Sequence, residues 1–219
     1  MIVVERKDIQ DIYRNLKPFK KILIVGCGGC AEVYQVGGSK QAEEVATLLK
    51  MAAKLDKKSI ELDTVTPVRQ CDKQMVESTL SPLVEDADAI LSLGCGEGVQ
   101  VIAEVFEDKR VYPANDTKFI GSQDRELDKF SELCSACGEC ILDKTAGICP
   151  ITRCAKGLLN GPCGGQLQGK CEVDKNNDCA WILIWKRLKE RGEMDLFNEV
   201  WMPRDRRKSS SPRKIGGVV

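Results

Sequence analysis

Apolar residues recur at helical spacing at Ile9, Ile12, Leu16 and Phe19, with Asp8 placed to cap the helix and Pro18 to end it. The first twenty residues therefore read as a short amphipathic helix. Residues 21–26 follow as a largely apolar run of strand length, the pattern of a strand buried on both faces. Ser39 opens a long helix over 40–55, with Ala42, Val45, Ala46, Leu48, Leu49 and Ala52 along one side. Glu43 and Glu44 sit near its start, where the helix dipole favours them. The pattern continues with a strand at 59–65, a helix at 73–85 interrupted near Pro82, a strand at 89–93, a helix at 98–107 and a short strand at 110–112. This β-α-β-α-β-α-β alternation predicts an α/β fold, a small Rossmann-like parallel sheet with helices on its faces. The domain is placed at 1–121, its sheet at about 20–121.

Beyond residue 130 the period is lost. Cys134 to Cys179 holds eight cysteines and seven glycines and little strand alternation. Such a segment lacks the apolar material to hold itself together and needs cross-links, covalent or metallic. Residues 122–202 are expected to form a cysteine-rich, ferredoxin-like iron-sulfur domain organised by its metal clusters. A closing helix at 179–191 is capped by Asp178 and stopped by Gly192, and a second follows at 194–202. Residues 203–219, with Arg204, Arg206, Arg207, Lys208, Arg213 and Lys214, read as a mobile basic tail.

Charge is balanced, 33 Lys+Arg against 33 Asp+Glu, which argues against a basic nucleic-acid binder. No apolar run reaches the roughly 18 residues that span a bilayer, so no membrane insertion is expected. Met1-Ile2-Val3-Val4 runs straight into charged residues, unlike a signal peptide, and a cytoplasmic location is expected.

Two counts narrow the chemistry further. There are twelve cysteines and no histidine. Without imidazole there is no Ser-His-Asp triad, no Cys-His nucleophile and no imidazole metal ligand. Any metal held by nitrogen or sulfur side chains is held by thiolates. Disulfides belong to oxidising compartments, so clustered cysteines in a cytosolic chain point to metal.

The C-terminal set is Cys134, Cys137, Cys140, Cys149, Cys154, Cys163, Cys171 and Cys179. It opens as C-x2-C-x2-C, and Cys149 precedes a proline, a partial match to the ferredoxin pattern, whose third gap is shorter. Two intervening residues let a turn aim successive sulfurs at one cluster. Eight thiolates are the number that two 4Fe-4S clusters need. Two zinc sites of four thiolates each are the rival reading. The pairing of ligands to clusters is left open.

The N-terminal set is Cys27, Cys30, Cys71 and Cys95. Each follows one of the first three parallel strands, so all four are expected at the carboxyl edge of the sheet, where open α/β sheets place ligands. A third 4Fe-4S cluster or a zinc ion is expected there. Gly26, Gly28, Gly29, Gly94, Gly96 and Gly98 flank these cysteines and would permit tight turns and close approach of backbone N–H groups to an anionic cluster. A competing motif overlaps: Gly26-x-Gly28-x-x-Ala31 fits the dinucleotide fingerprint. Against it, the helical pattern starts only after Val36-Gly37-Gly38-Ser39, and Asp63 lies too far on to be the ribose-binding acid. Trp181, Trp185 and Trp201 read as core or interface anchors.

The stretch from Cys149-Pro150 through Cys154 and Asn160-Gly161-Pro162-Cys163-Gly164-Gly165, then Gly169-Lys170-Cys171 and Asp178-Cys179-Ala180-Trp181, is distinctive. It resembles the cysteine-rich C-terminal domain associated with methylenetetrahydrofolate reductases of anaerobic bacteria. In acetogens that domain occurs on a separate small subunit (MetV type) paired with a flavin-binding barrel. The resemblance implies a part in reducing methylene-tetrahydrofolate to methyl-tetrahydrofolate, in the one-carbon metabolism of acetogenesis. FMN and the folate site would belong to the partner subunit. This chain would pass electrons from a ferredoxin-like or other redox donor, with the eight C-terminal cysteines as cluster ligands and no catalytic residue of its own. The family is also linked to zinc, which leaves a zinc-stabilised scaffold as the alternative role.

Overall fold

A computed structural model describes residues 1–209 and 211–213. The chain divides into two compact units, 1–119 and 120–219.

The first unit begins with a strand, not a helix: β1 (Ile2–Arg6) precedes α1 (Ile9–Leu16). The β-branched run Ile2-Val3-Val4 prefers an extended chain, and Asp8, whose carboxylate accepts the Gln10 N–H at 2.7 Å, starts the helix after it. Then come β2 (Lys21–Val25), a single turn α2 (Cys30–Val33), α3 (Ser39–Leu55), β3 (Glu61–Val65), α4 (Lys73–Val84), β4 (Ala89–Ser92), α5 (Gly96–Val105) and β5 (Arg110–Pro113). α4 runs unbroken through Pro82, where the sequence predicts an interruption.

β3, β2, β4 and β5 form a four-stranded parallel sheet in that order. Counted within the sheet this is 2-1-3-4, the flavodoxin-type doubly wound order. A Rossmann half would place the third strand beside the second. β2 carries Ile22 and Ile24 on one face, against Leu49 and Val45 of α3 and Leu16 of α1. Leu23 and Val25 pack on the other, with Val76 and Leu80 of α4 and Ile102 of α5. Both faces are thus covered, which is why β2 and β4 read as unbroken apolar runs.

The register decides where the chemistry sits. Val25 pairs with Val65 on one side and Ser92 on the other, so β2, β3 and β4 end level. Their succeeding loops share one edge of the sheet.

A second sheet has the order β1-β6-β7, with β6 (Asn115–Asp124) and β7 (Lys129–Cys134) antiparallel. This hairpin leaves no clear trace in the apolar pattern, because charged and polar residues alternate loosely along it. In the second unit α6 (Pro150–Arg153), α7 (Ala180–Arg191) and α8 (Met194–Asn198) surround a thin core. Its buried members are Ala146, Ile148, Ala180, Trp181, Ile184 and Leu188. The Trp181 indole donates to the Leu158 carbonyl at 2.9 Å and meets Phe197 edge-on at 6.0 Å between ring centres. Gly192, in the left-handed region at φ +73°, ends α7 as expected. Among the described residues no helix is long and apolar enough to cross a membrane.

Candidate metal centres

The sheet edge gathers the N-terminal thiols. Cys27 lies two residues past β2, Cys30 begins α2, Cys71 immediately precedes the α4 cap Asp72, and Cys95 is the cap of α5. All four line one cavity of about 550 Å³, with Met1, Ile2 and Val4 among its apolar wall. Tertiary proximity shows in their electrostatics. The Cys71 thiol is pushed above its usual range, first by desolvation, then by Cys27 and Cys95, against the easing effects of a backbone hydrogen bond and Arg69.

Several glycines at this edge are required by packing. A Cβ at Gly26 would lie 2.4 Å from Thr66 Oγ1, one at Gly37 2.1 Å from the Leu93 carbonyl, and one at Gly94 2.2 Å from Gln70 Oε1. The dinucleotide fingerprint fares poorly for a related reason. The N–H groups of Gly26, Cys27 and Gly28 already donate to the carbonyls of Val65, Gly37 and Pro67 at 2.8, 2.8 and 3.0 Å. A pyrophosphate would find them spent.

In the second unit the eight cysteines fall into two groups by chain order. Cys154, Cys163, Cys171 and Cys179 line one small cavity of about 20 Å³, beside Trp181. Cys171 titrates low because backbone hydrogen bonds at Asp174 and Val173 favour its thiolate. Cys163 donates to Glu172 at 3.6 Å, and Glu172 is ion-paired with Lys156. Cys179, rather than Asp178, caps α7, and its N–H donates to the Gly169 carbonyl at 2.7 Å. Asp178 pairs with Lys170 instead, at 2.6 Å.

The other group is Cys134, Cys137, Cys140 and Cys149. Left-handed turns at Ala136 (φ +50°) and Gly138 (φ +82°) set the direction of the triplet. The Ala136 N–H donates to Cys134 Sγ at 3.4 Å. Cys149 caps α6 and donates to Thr152 Oγ1 at 3.7 Å, which in turn donates to Ser135 Oγ at 3.2 Å, so this cysteine is tied to the triplet loop. Cys140 lines a separate groove with Trp201 and Lys208.

Arg204 is the side chain that reading Pro203 onward as a tail leaves out. Its Nη2 donates to Cys137 Sγ at 3.3 Å and to the carbonyls of Cys137 and Glu139 at 3.4 and 2.9 Å. The Cys137 thiol is lowered: burial opposes ionisation, but hydrogen bonding at Glu139 and the Arg204 guanidinium outweigh it. Lys208 also packs back, its carbonyl lying 2.3 Å from where a Gly138 Cβ would fall. Lys214 and the rest of 214–219, with residue 210, lie outside the described residues.

All twelve cysteines are free, with no disulfide. Among the described residues no three Cys, Asp or Glu side chains come together closely enough to hold a single metal ion. Two sets of four thiols, the N-terminal one and that of Cys154, Cys163, Cys171 and Cys179, ring their cavities rather than converging on a point. As a donor set they suit thiophilic metal: no imidazole competes, and each group of four is the number that a cubane or a tetrathiolate zinc site takes.

No curated protein and no solved structure matches the chain. Residues 112–207, which include all eight C-terminal cysteines and none of the N-terminal four, match the family model described as methylene-tetrahydrofolate reductase C terminal, so this segment is similar to the C-terminal part of those reductases.

Proposed function

We propose that this chain is the small electron-transfer subunit, of MetV type, of a methylenetetrahydrofolate reductase. The observation that carries the reading is that four of the twelve free thiols line one cavity at the sheet edge and four line another, while all eight C-terminal thiols lie within the segment similar to the reductase C terminus. In this reading Cys134, Cys137, Cys140 and Cys149 hold one 4Fe-4S cluster, and Cys154, Cys163, Cys171 and Cys179 a second. Cys27, Cys30, Cys71 and Cys95 hold a third centre, 4Fe-4S or zinc. Such clusters supply one-electron transfer at a potential set by their surroundings. The chain's own residues supply the thiolates, the Arg204 guanidinium beside Cys137 and the partly apolar wall around the N-terminal cavity. FMN and folate are bound by a catalytic partner, and a ferredoxin-like donor or another redox subunit feeds the chain. The setting is a reducing compartment, where thiols stay free.

A second reading has a specific observation in its favour. The cavity among Cys154, Cys163, Cys171 and Cys179, about 20 Å³, has room for one ion rather than for a cluster of eight atoms. A zinc ion there would make this unit a scaffold that positions the catalytic subunit.

Anaerobic purification with iron, sulfide and zinc analysis and an absorption spectrum tests both. The electron-transfer reading expects a brown protein with about eight or more irons per chain, because each cubane carries four. A colourless protein with stoichiometric zinc and no redox-active absorbance replaces it with the scaffold.

A further inference from the structure

We propose that Gln70 is the positioning residue of the N-terminal thiol cavity, a single buried amide that ties together the three loops bearing Cys27, Cys30, Cys71 and Cys95. This rests on the reading that those four thiols hold an inorganic centre.

Gln70 sits in the loop between β3 and α4, a place where a polar side chain ordinarily turns to water. Instead it is 1% exposed, and Ser92, which it touches, is fully buried. Each polar group of the amide is used. Nε2 donates to the carbonyls of Val25 at 2.9 Å and Gly26 at 2.7 Å, the residues just before Cys27. Oε1 accepts the Ser92 hydroxyl at 2.6 Å. Ser92 Oγ in turn accepts the N–H of Gly94, the neighbour of Cys95, at 3.2 Å. Cys71 is the residue next to Gln70 itself. One side chain thus spans the ends of β2 and β4 from the loop after β3.

Space is reserved for it. A Cβ at Gly94 would lie 2.2 Å from Gln70 Oε1, and one at Gly98 2.6 Å from Gln70 Cβ. Gln70 and Gly98 also line the cavity beside the four thiols. The chemistry requires an amide. Glutamate would turn an oxygen toward two carbonyl oxygens in a buried site, and leucine would leave the Gly26 carbonyl without the donor it has here. An outer residue that fixes the ligand-bearing backbone commonly governs metal affinity as strongly as a weak ligand does.

The test uses the full chain, purified anaerobically, as wild type, Gln70→Leu, Gln70→Glu, Ser92→Ala and Ser92→Thr. Each cysteine's alkylation by iodoacetamide is followed by peptide mass spectrometry, together with metal content and the spectrum of the folded protein. Wild type should protect all four N-terminal thiols. In both Gln70 variants alkylation of these four should rise about 10- to 100-fold, with loss of their metal, while the eight C-terminal thiols stay as they were. Ser92→Ala, which keeps Gln70, should loosen Cys95 and Cys71 more than Cys27, and Ser92→Thr should restore protection; this pair decides the matter if the Gln70 variants fail to fold. Gln70 variants that keep wild-type metal, spectrum and protection overturn the role of Gln70 and leave the centre standing. Wild-type N-terminal thiols that react as free thiols and carry no metal overturn the centre and Gln70's role with it.

Discussion

The two units hold four and eight cysteines on opposite terms. In the first, side chains such as Ile24, Leu49, Leu80, Ile90 and Ile102 bury a two-faced sheet, and the thiols stand at its finished edge. In the second, the buried apolar set is small, and long stretches between Cys134 and Cys179 have only turns. The first unit has a fold with a site on it. The second has sites from which much of its fold would follow, since a small unit with little core relies on cross-links.

The sharpest way to break this contrast is to remove the metal that the proposed function assigns to both units. Chelation under reducing conditions should leave the amides of β2 and β4 slow in hydrogen exchange while those of 146–179 become fast, a difference read by mass spectrometry. Equal protection in both units with and without metal would erase the distinction. Next in size, Leu91→Ala in the fully buried β4 should lower the stability of the first unit by about 2–5 kcal/mol in chemical denaturation, without changing the metal content that the proposed function assigns to the second. Arg204→Ala should cost the second unit about 1–3 kcal/mol, because it removes the donor to the Cys137 sulfur and to the Cys137 and Glu139 carbonyls together. Lysine at that position should recover only part, lacking the planar fork.

The smallest effect belongs to Asp88, which accepts the N–H groups of Lys20 and Lys21 at 2.9 Å each where β2 begins. These bonds hold its carboxyl below the usual range, the Lys21 contact first and Lys20 next. A depressed carboxyl contributes its stability above the unfolded value and loses it as pH falls through the folded one. The difference in unfolding midpoint between wild type and Asp88→Asn should therefore be full at neutral pH and shrink on acidification below about 4.

Much of the first unit was legible. The apolar runs at 21–25 and 89–92 are β2 and β4, and the face of Ala42, Val45, Ala46 and Leu49 is the buried side of α3. β1 is hidden because its three-residue β-branched run, Ile2-Val3-Val4, sits directly before a capped helix. The hairpin β6–β7 was hidden because its alternation is weak and its polar residues resemble a loop. The glycines of the sheet edge are legible as special but not as to purpose: Gly26, Gly37, Gly94 and Gly98 make room for Thr66, the Leu93 carbonyl and Gln70, and only contacts reveal that. Arg204 looked like one more cation in a basic stretch.

The sequence by itself determined the donor chemistry and its broad place: twelve thiols, no imidazole, four behind parallel strands and eight in a segment without periodicity. Strand period and cysteine spacing are local properties, and local properties are written in the chain. Tertiary structure alone decided the 2-1-3-4 strand order, the sharing of one cavity by Cys27, Cys30, Cys71 and Cys95, and the burial of Gln70 between their loops. Each of those depends on which strand lies beside which, and the hydrogen bonds that settle it join residues far apart in the chain, where no spacing rule reaches.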